Sequence, residues 1–470
     1  MTDIPDYRYR QLERWLLEGL RQGRWGLGQR LPSIRTLCAQ KHLSKATVQH
    51  ALQRLEARGL LEARPRAGYI VKFVPETISP PRVVESVQEP RPVSVSDLFL
   101  DIMSRSAAFD VLPDPNKGEA APGIVRLNRA IGRALRRHRG EGAQYYDIPA
   151  GDPGLREQLS VQLSRRGWAA SPDDLCITSG CQHALFLALM ATCAPGDVIA
   201  VESPGFYGVL QLLEQLKLRV VEVPSSTDTG MDMDALEEVL KRWSVRACVV
   251  SPAFSTPSGA CMPEAARKRL LALADSYDLV VIEDDIYAET GMDEVPDTLK
   301  ALDTSNRVIH CSSFSKILSR DLRLGWVAGA RWHQSIIHLK LVTQLASTSY
   351  QQQGVGDFIR DGELQAHCRR LRGALRIQRD RLLSALHDWP CTVRTTIPAG
   401  GLSVWVELPE DCDTLAQYQY AMLQGVSITP GPLFSSSGHY RNCLRLSYAH
   451  PWNEARWNAL NRIPELLGIV

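Results

Sequence analysis

The chain has 470 residues, of which 44% are apolar and 23% charged, with a net charge of +2. That balance excludes a disordered or collagen-like polymer. With no apolar run near the ~18 residues of a membrane span, it predicts a cytoplasmic protein of about three compact units. The opening "MTDIPDYRYRQLERWLLEGLRQGRW" has no basic-then-apolar leader design. The 11 cysteines are an odd number, scattered, without a C-x-x-C pair or a Cys/His cluster at metal-ligand spacing. They read as small buried hydrophobes of a reducing compartment, and no metal site is expected. The small net charge hides an asymmetry. Residues 1–72 hold 14 Lys+Arg against 6 Asp+Glu, a net +8, and the remainder is −6. A basic head on an acidic body predicts that the head meets a polyanion.

In chain order, "YRQLERWLLEGLRQG" sets Leu12, Leu16, Leu17 and Leu20 at helical spacing and stops at Gly23. "LPSIRTLCAQKH" starts a second helix after Pro32-Ser33. "SKATVQHALQRLEARGL" opens a third at Ser44, with Val48, Ala51, Leu52 and Leu55 as its apolar stripe and Gly59 as its end. "LLEARPRAGYIV" gives two short strands around a Pro/Gly turn. Three helices followed by a hairpin form a winged helix–turn–helix, whose last helix fits the DNA major groove. Ser44, Lys45, Thr47 and Gln49, with His50 a turn on, open that helix. Arg35 starts the one before it, and the hairpin carries Arg64, Arg66 and Gly68. Residues 75–97, rich in Pro, Ser, Glu and Val, read as an extended linker.

From residue 98 onward, helical patterns alternate with "DLCIT", "DVIAVES", "RVVEVP", "RACVVSP", "LVVIEDD" and "RVIHCSSFS". Apolar strands between helices predict an α/β unit with a mostly parallel sheet covered on both faces. Ligands of such sheets sit at the carboxyl ends of the strands. Polar groups cluster there: Ser179-Gly180, Asp284, and Ser313 to Lys316. A lysine amine acts as a Schiff-base nucleophile once its pKa is lowered, and the Arg323 guanidinium suits a pair of phosphate oxygens. Ser179-Gly180-Cys181 opens a helix whose N–H groups attract anions. Asp284 suits a protonated pyridine nitrogen, Tyr287 a phenolic oxygen, and Phe206 a stacked ring. Each piece alone is ordinarily structural; their order along the chain carries the signal.

Residues 7–71 resemble the winged helix–turn–helix of the GntR family of bacterial transcription regulators. The likeness runs through "YRQL", "RLPSIR", Ser44, Thr47-Val48, Ala51-Leu52, Gly59-Leu60-Leu61 and Gly68. It implies Arg35, Ser44, Lys45, Thr47 and Gln49 at the DNA, with Gly68 at the wing tip. Residues 110–460 resemble class I/II aminotransferases, which are fold-type-I pyridoxal-phosphate (PLP) enzymes. That likeness implies PLP bound at Lys316 as a Schiff base, Asp284 on its pyridine nitrogen, Tyr287 on its phenolic oxygen and Phe206 on its ring. Ser179, Gly180, Cys181, Ser313 and Arg323 would form the phosphate cup, with Ser315 also at the cofactor and Tyr146 reaching the phosphate from a neighbouring subunit. Arg445 would hold a substrate α-carboxylate. "PAGGLSVWVELP" and "GVSITPGPLF" resemble strands of the smaller α+β domain. Thr256 stands where the family commonly has Asn, so its hydroxyl reaches the cofactor less far.

Together the halves resemble the MocR subfamily of GntR-type regulators. The expected organisation is a DNA-binding domain at 1–74, a linker at 75–97 and an aminotransferase-like domain at 98–470. The last divides into a large part at 147–345 and a small part at 98–146 and 346–470. The expected partners are a double-stranded DNA operator, an amine or amino-acid effector and a second copy of the chain, with no membrane. The alternatives are a working aminotransferase carrying a regulatory head, and a sensor of PLP itself.

Overall fold

The computed structural model describes residues 7–64, 68–74, 79–84, 86–94, 100–102, 110–113, 121–137 and 145–469. Arg66 of the wing and residues 114–120 lie outside them. The head is α1 (Arg8–Arg21), α2 (Ile34–Lys41), α3 (Lys45–Ala57) and a hairpin of β1 (Leu61–Arg64) and β2 (Gly68–Val71). Local chemistry sets these ends. The Ser33 Oγ accepts from the Thr36 N–H, and the Ser44 Oγ from the Thr47 N–H, each at 3.1 Å. His42, at φ 51°, turns the chain between α2 and α3. Leu12, Leu16, Leu20, Val48, Ala51, Leu52 and Leu55 are buried together, as their spacing predicts.

The body begins with a short strand, β3 (Arg91–Pro92), then α4 (Pro122–Arg137) and α5 (Pro153–Ser164). Next come β4 (Leu175–Thr178), α6 (Cys181–Thr192), β5 (Val198–Ser203), α7 (Tyr207–Gln215), β6 (Arg219–Ser226) and β7 (Gly230–Met231). They are followed by α8 (Met233–Arg242), β8 (Val245–Val250), α9 (Glu264–Ser276), β9 (Val280–Asp284), β10 (Val308–Ser313) and β11 (Gly325–Ala328). The strands lie in the order β3-β6-β5-β8-β9-β10-β11-β4, with β7 beside β6. From β6 to β10 every pairing is parallel; β3, β7, β11 and β4 join antiparallel. One face packs Ile199, Val249, Ile282 and Ile309 against α6 and α7. The other packs Ala200, Val221, Val250 and Val281 against α8 and α9. The sheet is therefore covered twice, which is why its strands read as unbroken apolar runs.

Three helices follow: α10 (His333–Gln344), α11 (Ser349–Arg360) and the 25-residue α12 (Glu363–His387). Beyond α12, β12 (Arg394–Thr395), β13 (Ser403–Glu407) and β14 (Cys443–Ser447) form a small antiparallel sheet, flanked by α13 (Tyr418–Leu423) and α14 (Glu454–Leu466). "GVSITPGPLF" is not a strand: only a Pro430–Leu444 bridge and a short 3-10 turn at Gly431–Phe434 form there. Pro430 and Pro432 have no N–H to give a ladder. Among the described residues no helix is long and apolar enough to cross a membrane.

The head is seated on α12. Leu60 and Phe73 share one apolar core with Leu382, Leu383 and Leu386. Arg58 Nε donates to the fully buried Asp380 at 2.5 Å, and Arg381 Nε donates to the Ala57 carbonyl at 2.9 Å. The other end of α12 touches the functional loop, where His367 Nε2 lies 2.7 Å from the Ile317 carbonyl.

Candidate cofactor site and nucleic-acid interface

The carboxyl ends of β9 and β10, the start of α6 and the turn before β11 border a cleft of about 120 Å³. Cys181, Phe206, Asp284, Tyr287, Ser313, Ser315, Lys316 and Arg323, far apart in sequence, all line it, together with Gln182. Asp284 ends β9 and is buried. Burial pushes its carboxyl up to about 6, the charge of Asp285 adds to this, and Lys316 pulls it down. Cys181 Sγ donates to Asp284 Oδ1 at 3.2 Å, so the thiol serves the carboxylate while its backbone stays at the helix start. Lys316 Nζ stands 5.7 Å from the Tyr287 ring centroid. Burial holds its amine well below the ordinary lysine range, and the charges of Arg320 and Arg445 lower it further. The amine is thereby primed as a nucleophile.

Gly180 joins β4 to α6 at φ +91°. A Cβ there would stand 2.8 Å from Arg323 Nη2, so only glycine leaves room for the guanidinium. Arg323 Nη2 donates to the Ser179 carbonyl at 3.0 Å, and Gln344 Nε2 to the Ser179 hydroxyl at 2.5 Å. Gln344, on α10, was not readable as a site residue, because nothing in its own helix marks it. On the opposite wall Arg445 Nη1 lies 3.4 Å from Thr256 Oγ1, and its guanidinium carbon is 5.7 and 5.3 Å from the Tyr207 and Phe434 rings. Burial raises the Tyr287 phenol to about 12, so it stays a hydrogen-bond donor; Thr256 bonds to it. Tyr146 is 81% exposed and is not part of this chain's own cleft.

This donor set fits PLP. A glycine-lined helix start with an arginine across it suits a phosphate, and a buried carboxylate raised by desolvation gains from a facing cation. A depressed lysine amine sits between them. Behind β9, Glu283, Asp285 and His310 lie together, but each is engaged: Arg166 and His310 hold Asp285, and the Leu299 and Lys300 N–H groups hold Glu283.

In the head, Arg35, Ser44 and Lys45 are exposed, while Thr47 and Gln49 are half-buried. The Ser44 and Thr47 hydroxyls lie 2.8 Å apart, a cap that leaves the α3 start facing outward. Gly68, at φ +85°, turns the wing beside Arg30. Arg64 is ion-paired with Glu62 at 3.0 Å.

Fold and site define a winged-helix DNA-binding unit joined to a fold-type-I aminotransferase-like body. The model of the bacterial regulatory proteins of the gntR family matches residues 8–71, and that of aminotransferase class I and II matches residues 121–463. The chain is 35% identical to the HTH-type transcriptional regulator YjiR of Escherichia coli (strain K12) over 97% of its length and 98% of that protein. It superposes on the kynurenine aminotransferase of Pyrococcus horikoshii with a TM-score of 0.70 at 29% identity, covering 80% of this chain and 95% of that one. LysN, the alpha-aminoadipate aminotransferase of Thermus thermophilus, gives 0.70 at 30% identity, covering 79% and 95%. The chain belongs to the MocR-type GntR regulators, with a class I/II aminotransferase domain fused to the helix–turn–helix.

Glu202, near the end of β5, gives this region a pH dependence. Burial pushes its carboxyl up to about 8, the Asp284 charge adds to this, and the Ser251 N–H, donating at 3.0 Å, opposes it. A raised folded-state pKa stabilises fully below the unfolded value near 4.5, and that contribution is lost as pH rises through about 8. Between pH 6 and 9 the loss is on the order of 3 kcal/mol. Glu202→Gln is expected to flatten this stretch of the curve and raise the urea midpoint at pH 9. An unchanged slope would remove Glu202 as its source.

Proposed function

We propose that the chain is a PLP-binding transcription regulator whose operator affinity responds to an amine or amino acid. In this reading residues 1–74 bind double-stranded DNA, 75–97 link, and 98–470 form the receptor body of a cytoplasmic homodimer. What carries the reading is the union, in one chain, of a GntR-type winged helix and a cleft around Lys316 lined by Asp284, Tyr287, Phe206 and Arg323. PLP, when bound, supplies a carbonyl carbon that condenses with primary amines. Lys316 holds it through an amine whose pKa burial lowers. Arg323, the α6 start at Ser179, Gly180 and Cys181, and Ser313 and Ser315 hold its phosphate, completed by Tyr146 of the partner subunit. Asp284 keeps the ring nitrogen protonated, Phe206 covers the ring, and Tyr287 with Thr256 holds the phenolic oxygen. Arg445 takes the effector carboxylate on the face away from Asp284.

On the DNA side, Arg35, Ser44, Lys45, Thr47 and Gln49 face the major groove and Gly68 approaches the backbone. α12 touches both the loop after Lys316 and the head, so an effector that moves that loop acts on the helix on which the head is seated. The test is to add a panel of amino acids to holo-protein on an operator selected from its own genome. Operator anisotropy, cofactor absorbance and keto-acid release are read together. An effector that changes the spectrum and the operator affinity without sustained keto-acid release is expected. Multiple turnover at enzyme-like rates with unchanged DNA affinity would favour the second reading, a working aminotransferase, for which the retained Lys316, Asp284 and Arg445 speak.

Arg35→Ala or Lys45→Ala is expected to weaken operator binding about tenfold or more and, for a phosphate contact, to lower the salt slope by about one. The cofactor spectrum reports on a separate site and checks the fold of the body. Unchanged operator affinity in both variants would displace α3 from the groove.

A further inference from the structure

Ser179, between β4 and α6, carries an N–H, a carbonyl and a hydroxyl, and a different side chain holds each of them. Its N–H donates to His183 Nδ1, in the first turn of α6, at 3.2 Å. Burial pushes that imidazole down to about 4, so the ring is neutral and Nδ1 can accept. The carbonyl accepts from Arg323 Nη2 at 3.0 Å, and the hydroxyl oxygen accepts from Gln344 Nε2 at 2.5 Å. What Ser179 has left is its hydroxyl hydrogen, which has no acceptor among the described residues.

Gln344 is the last residue of α10, and α10 lies along α6: Ile336 and Leu339 pack into the core that holds Cys181, Ala184 and Ala188. The chain turns away at Leu345, φ 65°. The packing of two helices thus delivers the amide to Ser179. Its other end gains nothing there, because Gln344 Oε1 is buried without a donor among the described residues. A buried carbonyl left without a donor costs stability, so folding does not account for an amide at this place. A hydroxyl that accepts from an amide keeps its hydrogen for another acceptor. The α6 start, with Arg323 beside it, favours an anion there.

We infer that Gln344 is a positioning residue of the cofactor site: by donating to the Ser179 oxygen it reserves the Ser179 hydrogen for a phosphate oxygen. The inference rests on the reading that PLP occupies the cleft, and it adds a residue from behind the cleft wall. Ser179 is the group that meets the phosphate, and Gln344 acts through it. Gln344→Met keeps the length of the side chain and removes the donor together with the unpartnered carbonyl. Gln344→Glu reverses the bond: a carboxylate accepts, the Ser179 hydrogen turns to it, and a negative charge stands near the phosphate.

The test compares PLP with pyridoxal, which lacks the phosphate. Full-length protein freed of cofactor is titrated with each, and the Lys316-dependent absorbance gives half-saturation. In Gln344→Met, half-saturation for PLP is expected to rise about tenfold or more, and that for pyridoxal to stay within about twofold. Gln344→Glu is expected to weaken PLP at least as far. The thermal midpoint of cofactor-free Gln344→Met is expected not to fall, an outcome that a merely structural amide would not give. In a Ser179→Ala background, Gln344→Met is expected to change PLP binding by less than about twofold. PLP binding unchanged in both Gln344 variants, a loss shared equally by pyridoxal, or a loss undiminished in Ser179→Ala would overturn the role of Gln344 and leave PLP binding standing. If the parent protein shows no Lys316-dependent absorbance with PLP, the cofactor reading fails and this inference falls with it.

Discussion

Lys316→Ala is expected to abolish the visible absorbance of the cofactor-loaded protein and to let the cofactor leave on gel filtration, while the fold persists. The amine is a group in the cleft able to form a Schiff base with a carbonyl carbon, and burial pushes its pKa well below the ordinary lysine range. Removing it leaves, in the proposed site, only the non-covalent hold of Arg323 and the α6 start on a phosphate, which exchanges with solvent. The stability cost is small, because the deleted atoms carry a disfavoured charge rather than core packing: within about 1 kcal/mol by thermal melting of the cofactor-free protein. A variant that keeps the band would refute the assignment of Lys316. A variant that loses the band together with its far-ultraviolet circular dichroism would show a structural role instead.

Asp380→Ala carries the largest expected cost in stability, and it acts on the seating of the head. Asp380 is fully buried on α12; one oxygen accepts from Arg58 of the head at 2.5 Å, and the other from Arg379 Nε and Nη2 at 2.9 and 2.7 Å. Truncating it takes the shared carboxylate from two guanidiniums, of which Arg58 keeps Glu13 and Arg379 keeps the Pro398 carbonyl, so the cost is expected near the lower end of the about 3–5 kcal/mol of a broken buried pair. Glu13, 3.1 Å from Arg58 Nη1, belongs to the head and cannot substitute as a tie to the body. The expected result is a head that exchanges its amide hydrogens faster than the body and melts before it. An unchanged single melting transition would show that the apolar contacts of Leu60 and Phe73 seat the head without the ion pair. The same variant probes coupling: if α12 carries the effector signal, operator affinity in Asp380→Ala no longer responds to an amino acid that still changes the cofactor spectrum.

Much of the fold was legible in the residues. Six apolar β-branched runs became β4, β5, β6, β8, β9 and β10, because a strand buried on both faces must be apolar at every position. The helix starts at Ser33 and Ser44 were readable because a cap is a contact between residues three apart. Two strands were not. β3 is two residues of the Pro-rich segment read as linker, added to the edge of β6, and β11 is four residues directly after Leu324, too short to show a period. "GVSITPGPLF" went the other way, since its apolar residues are buried as coil against β14.

Of the site, Lys316, Asp284, Tyr287, Phe206, Arg323 and the Ser179-Gly180-Cys181 step were visible because each residue type suits one part of a phosphorylated pyridine. Residue type and local period are properties of a few neighbouring positions, so sequence was sufficient for the elements, the basic head and the residues that come together to line the cleft. Which way a side chain turns depends on what another element places opposite it. Only tertiary structure decided that the Cys181 thiol meets Asp284 and that Gln344 takes the Ser179 hydroxyl. The same holds for the head, whose Arg58 finds Asp380 at a separation of 322 residues, a pairing that no local pattern encodes.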